Sequence, residues 1–144
     1  MKSVPPLHDQ SGAGGGGSLV LVDEYEGGVN SRESASGAVW RMGDADMAIL
    51  AHHGVFVTAA TVQAAYWRAA SLEWRCRIAH LAAAAGGGAD VPQVIHDTFG
   101  RSDGTRFVGY WETAVRRELR RDVELARCIE TATFAARGSA PTKP

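Results

Sequence analysis

The chain has 144 residues, 45% of them apolar, and sets 15 basic against 16 acidic side chains for a formal charge of −1. A chain of this length buries roughly 70% of its unfolded surface, so one soluble domain needs no metal or disulfide to hold its core, and collagen-like, fibrous and disordered compositions are excluded. No stretch offers the ~18 uncharged apolar residues of a spanning helix, and the charge balance lacks the basic excess of a nucleic-acid or membrane-surface protein.

Met1-Lys2-Ser3-Val4-Pro5-Pro6 is not followed by the apolar core of a signal peptide. The cysteines, Cys76 and Cys128, lie far apart and form no C-x-x-C pattern. Reduced thiols and a cytoplasmic location are expected.

In chain order, Ser11 to Ser18 holds too many glycines for a helix or strand and is expected to be a loop. Gly12, Gly14 and Gly17 fit G-x-G-x-x-G, but a dinucleotide fingerprint follows a strand and opens a helix, whereas this segment leads into a strand; a nucleotide site is rejected. Ser18–Val22 reads as a short buried strand ending in the acidic turn Asp23–Gly28. From Glu33 to Arg41, Ala35, Ala38, Val39 and Met42 recur at helical spacing, with Gly43 as the stop. Met47–Ala51 and Val55–Thr58 read as two strands joined, or one strand bent, at His52-His53-Gly54.

Thr61 is the expected N-cap of a long helix from Val62 to about Ala85, ended by Gly86-Gly87-Gly88. Its apolar stripe takes in Val62, Ala65, Tyr66, Ala69, Leu72, Cys76, Ala79 and Ala83. A short helix is expected over Val91–Phe99. Another begins near Thr105, with Phe107, Val108, Trp111, Val115 and Leu119 facing inward, and Asp122 caps a last helix containing Leu125, Cys128 and Ile129. Arg116, Arg117, Arg120, Arg121 and Arg127 alternate with Glu112, Glu118, Asp122 and Glu124 at spacings that pair charges on a solvated helix face. The tail after Arg137 is expected to fray.

Candidate chemistry centres on His52-His53-Gly54. On a strand the two rings would point to opposite faces, leaving one to serve as a ligand and the other to pack or meet solvent. The competing reading is a hydrogen-bonded structural histidine, since a metal normally takes three or more ligands. Glu73 and His80 lie two turns apart on the long helix, about 10 Å and too far to share an ion directly; a buried, hydrogen-bonded Glu73 is expected instead. His8 and His96 stand without partners at ligand spacing and read as exposed or locally bonded. Cys76 falls in the helix stripe as a small core residue, and Tyr66, Trp67, Trp74, Tyr110 and Trp111 read as core or interface aromatics. No P-loop or nucleophile elbow occurs.

Four runs, taken as a set, resemble the class II aldolase/adducin family: Tyr25-Glu26-Gly27-Gly28-Val29; Gly43-Asp44-Ala45-Asp46 through Leu50-Ala51-His52-His53-Gly54-Val55-Phe56-Val57; Thr61–Ala65; and Leu72–Arg77. The resemblance extends over about Leu7–Asp122 and corresponds to the C-terminal half of a family domain. It implies a three-layer α/β/α fold with a mainly antiparallel sheet over residues 1–136, incomplete in its N-terminal half, and a flexible tail at 137–144.

The resemblance further implies a divalent metal, usually zinc, held by a His-x-His pair and by a later histidine directly before glycine. That later ligand maps to His53. The sequence contains no His-x-His pair, and the family's phosphate loops and acidic general base also belong to the half without a counterpart, so no catalytic residue carries over. The family usually has asparagine where His52 stands and often glycine where Ala59 stands.

The implied activity is reversible aldol cleavage of a hydroxy-ketone or sugar phosphate by a metal-dependent lyase, expected to be truncated and inactive alone. The alternative is a non-catalytic, adducin-like interaction or oligomerisation module. A homo-oligomer is expected in either case, with Tyr110 a possible contributor at a subunit boundary, and neither nucleic acid nor membrane as partner.

Overall fold

The computed structural model describes residues 3–23, 31–100 and 109–129, which fall in two compact units, Met1–Arg106 and Phe107–Pro144. In the first unit β1 (Leu19–Val22), β2 (Met47–Leu50) and β3 (Gly54–Val57) form a sheet in that spatial order. β1 and β2 are parallel, with Leu19 opposite Met47, while β2 and β3 are antiparallel, with Leu50 opposite Gly54. The described sheet is therefore mixed, with one parallel and one antiparallel pairing. The connections decide this: the chain passes from β1 to β2 through helix α1 (Arg32–Met42) and re-enters in the same direction, whereas the tight turn after β2 reverses it.

β2 is buried on both faces. Ala48 and Leu50 join Val22 and Val20 of β1 and Met42 of α1, while Met47 and Ile49 on the opposite face join Leu19, Leu21 and Val57 and meet Leu72 and Cys76 of helix α2 (Val62–Ala84). That alternation is why the strand reads as an unbroken apolar run.

Both helices are capped, α2 at the expected Thr61 and α1 at Ser31. The Ser31 hydroxyl accepts the Ser34 N–H while Ser34 Oγ accepts the Ser31 N–H, and Gly43 closes α1 at φ 56°. Backbone and Ser31 hydrogen bonds hold the Glu33 carboxyl below its ordinary pKa, and a carboxylate in the first turn complements the helix dipole. The Thr61 hydroxyl accepts the Ala64 N–H, and α2 then runs about 35 Å before Gly86 and Gly87 adopt positive φ. Helix α3 (Gln93–Gly100) follows. Among the described residues no helix is long and apolar enough to cross a membrane.

Two expectations for this unit need correction. The buried stripe of α2 is rotated: Trp67, Ser71, Leu72 and Ala79 are buried, while Ala69 and Ala83 are exposed and Val62 is 75% exposed. The glycine stretch is also more ordered than a loop, since Gln10–Ala13 form a 3-10 turn capped by the Asp9 carboxylate, which accepts the Gly12 N–H. Gly14, Gly15 and Gly16 are buried. A Cβ on Gly15 would lie 2.6 Å from the Trp67 carbonyl oxygen and 2.8 Å from Arg68 Cα, and one on Gly12 would lie 3.1 Å from Arg75 Cβ. The glycine backbone thus seats on the flank of α2 that carries Trp67, Arg68 and Arg75, which draws that flank inward.

Asp46 gathers the ends of all three strands. Its Oδ2 accepts the Ser18 N–H at 2.9 Å and the Ser18 hydroxyl at 3.2 Å, and its Oδ1 pairs with Arg68 Nη1 of α2 at 2.8 Å. Its carbonyl accepts both the N–H and the hydroxyl of Thr58, just past β3, and Arg68 also donates to the Thr58 carbonyl.

The opposite end of the β2–β3 pair is the turn Ala51-His52-His53, closed by the His53 N–H donating to the Leu50 carbonyl at 3.1 Å. His52 has φ 60°. It is the one non-glycine residue with positive φ among those described, at a turn position that ordinarily favours glycine or asparagine.

In the second unit, α4 (Tyr110–Arg121) starts behind Gly109 at φ 82°. The expected start near Thr105, with Phe107 and Val108, lies outside the described residues, as do most of the Asp23–Gly28 turn and the tail. Ala114 is buried, and Arg116, Arg117, Arg120 and Arg121 are exposed, with Glu118 3.0 Å from Arg117 Nε and 3.7 Å from Arg121 Nη1. The arginines form the solvated face expected of them. Asp122 Oδ1 accepts the Leu125 N–H and caps the helical residues 123–129.

Three outcomes are expected in urea or thermal unfolding. Asp46→Ala lowers stability by about 2–3 kcal/mol, the scale of losing charge-assisted hydrogen bonds, and Asp46→Asn by less because it retains an acceptor. Gly15→Ala costs on the order of 1–3 kcal/mol through overpacking, whereas Gly54→Ala changes stability by no more than about 1 kcal/mol. His52→Asn preserves or raises stability, and His52→Val lowers it by about 1–2 kcal/mol because a β-branched residue resists positive φ.

Candidate functional site

The residues singled out for chemistry, His52, His53 and Gly54, sit where β2 turns into β3. His52 and His53 belong to the turn and not to a strand, so the strand rule that sends neighbours to opposite faces does not govern them, and both are exposed. Gly54 opens β3 on the face shared with Leu50. Its φ is not positive, and a Cβ there would meet no described atom within 4 Å. Neither backbone conformation nor packing demands a glycine at this place, which leaves the space beside His53 open.

Glu73 and His80 are also exposed, on α2. The expected buried Glu73 is therefore corrected: the glycine contact turns the helix so that Trp67, Ser71 and Arg75 face inward and Glu73 faces out. Among the described residues no group of three His, Cys, Asp or Glu side chains is placed to hold a metal ion. A zinc ion, which takes three or four protein ligands in known site types, finds only the His53 imidazole of the expected set here. The described residues do not fit the metal centre that the resemblance implies.

The remaining histidines take part in structural contacts. His8 Nδ1 donates to the Ala89 carbonyl at 2.7 Å, a bond that places the proton on that nitrogen. His96 Nε2 lies 3.5 Å from Asp90 Oδ1. Asp90 Oδ1 also accepts the N–H groups of Leu7 and Val91, the Val91 N–H donates to the Leu7 carbonyl, and Arg75 Nε donates to the Pro5 carbonyl at 2.8 Å. Together these bonds clamp the segment around Leu7, itself only 1% exposed, between α2 and the residues that precede α3.

Burial pushes the Arg75 guanidinium below its ordinary pKa, against the pull of Asp90. Burial likewise raises the Cys76 thiol, an effect tempered by Arg75 and reinforced by Glu73. At neutral pH Cys76 is therefore a protonated side chain beside the apolar cluster, as a core residue should be. Cys76 and Cys128 are free thiols.

The glycine-rich segment has no room to cradle a phosphate at Gly15, because the α2 backbone already fills that position. Trp67 is the aromatic that joins the core, with Tyr66 edge-on to it at 6.4 Å. Trp74 stays at the surface, its Nε1 donating to Asp9 Oδ2 at 2.8 Å, and Tyr110 is half exposed.

Sequence reasoning missed the surface between α1 and β3. Ala35, Ala38, Val39 and Met42 of α1 line an apolar pocket with Leu50 and Phe56. Val39 is 60% exposed, Phe56 46% and the adjoining Trp40 82%. The helical stripe of Ala35, Ala38, Val39 and Met42 is legible in the sequence, but periodicity does not say whether anything covers it. Trp40, adjoining the stripe, was the available signal.

The model of the class II aldolase and adducin N-terminal domain matches residues 1–80. Curated proteins provide no match. The matched stretch includes the whole described sheet, helix α1, the histidine turn and most of α2, while the Tyr25-Glu26-Gly27-Gly28-Val29 run within it lies outside the described residues. With more than half of its 144 residues accounted for by this one domain, the chain belongs to the class II aldolase/adducin family.

Proposed function

We propose that the chain derives from the metal-dependent branch of its family, that His53 is the one ligand of the usual set present in it, and that these 144 residues do not act as a lyase on their own. The supporting observation is the lone candidate ligand: His53 stands exposed on the β2–β3 turn, and no three-donor group forms among the described residues. The reaction in view is reversible aldol cleavage of a hydroxy-ketone or sugar phosphate, with zinc as the first choice of divalent ion. No step of that reaction is assigned to this chain, because a single imidazole does not fix an ion. The proposed domain spans 1–136 with a tail at 137–144. The free thiols favour a reducing compartment such as the cytoplasm, and the charge balance speaks against nucleic acid or membrane as partner.

Elemental analysis of the purified 144-residue chain is expected to give far less than one zinc per chain, with no turnover of a sugar phosphate or hydroxy-ketone in added zinc. His53→Gln should leave both values where they are. Stoichiometric zinc together with turnover by the unaltered chain would overturn the proposal.

A second reading, a non-catalytic adducin-like module for interaction or self-association, is favoured by the exposed apolar surface of α1 and β3. It predicts a homo-oligomer by light scattering that Trp40→Glu combined with Phe56→Glu converts to monomer. A strictly monomeric unaltered chain across the micromolar range would sink that self-association.

A further inference from the structure

We draw no further inference here: the strongest candidate, the apolar groove between α1 and β3 bordered by the exposed side chains of Val39, Trp40 and Phe56, carries nothing because nothing in the structure shows what covers it.

Discussion

The carboxylate of Asp46 is the constraint on which the described sheet depends. One side chain holds the entry to β1 through Ser18 and the second turn of α2 through Arg68, while the backbone of the same residue holds the exit of β3 through Thr58. Strands of four residues have few ladder bonds of their own, and a short parallel pair has no hairpin to fix its register. A shift of one residue in β2 would exchange Ala48 and Leu50 for Met47 and Ile49 between the two apolar clusters. Asp46 opposes that shift with bonds outside the ladder, charge-assisted and therefore stronger than neutral ones.

The second constraint is the seat of the glycine segment on α2. Where a Cβ would come within 2.6 Å of a carbonyl oxygen, only glycine fits, and close approach of the two backbones fixes which flank of the helix is buried. The same approach accounts for Glu73 facing solvent. A contact made near the start of the chain therefore decides that Glu73, some sixty residues later, faces solvent.

The histidine turn shows how family chemistry and local geometry separate. His52 occupies a left-handed conformation where asparagine is usual in the family, so the substitution retains one of the few non-glycine residue types that tolerate positive φ. His53 is exposed in the same turn, and the space beside Gly54 is open. The other donors are not supplied by the described residues, and the apolar pocket between α1 and β3 lies at the face of the sheet on which Gly54 opens.

The sequence by itself determined most of the elements and several of their ends, because these depend on contacts within a few residues: Thr61 as a cap, Gly43 and Gly86 as stops, Asp122 at the head of the last helical stretch, and the apolar runs of β1 and β2. It also singled out the His52-His53-Gly54 turn through the glycine and the apolar runs on either side, while the choice of His53 within it rests on the family resemblance. Only the tertiary structure decided the parallel pairing of β1 with β2, the rotation of α2, and the exposure of Val39, Trp40 and Phe56. Those depend on which surfaces meet, and periodicity records that a helix has an apolar side without recording what, if anything, lies against it.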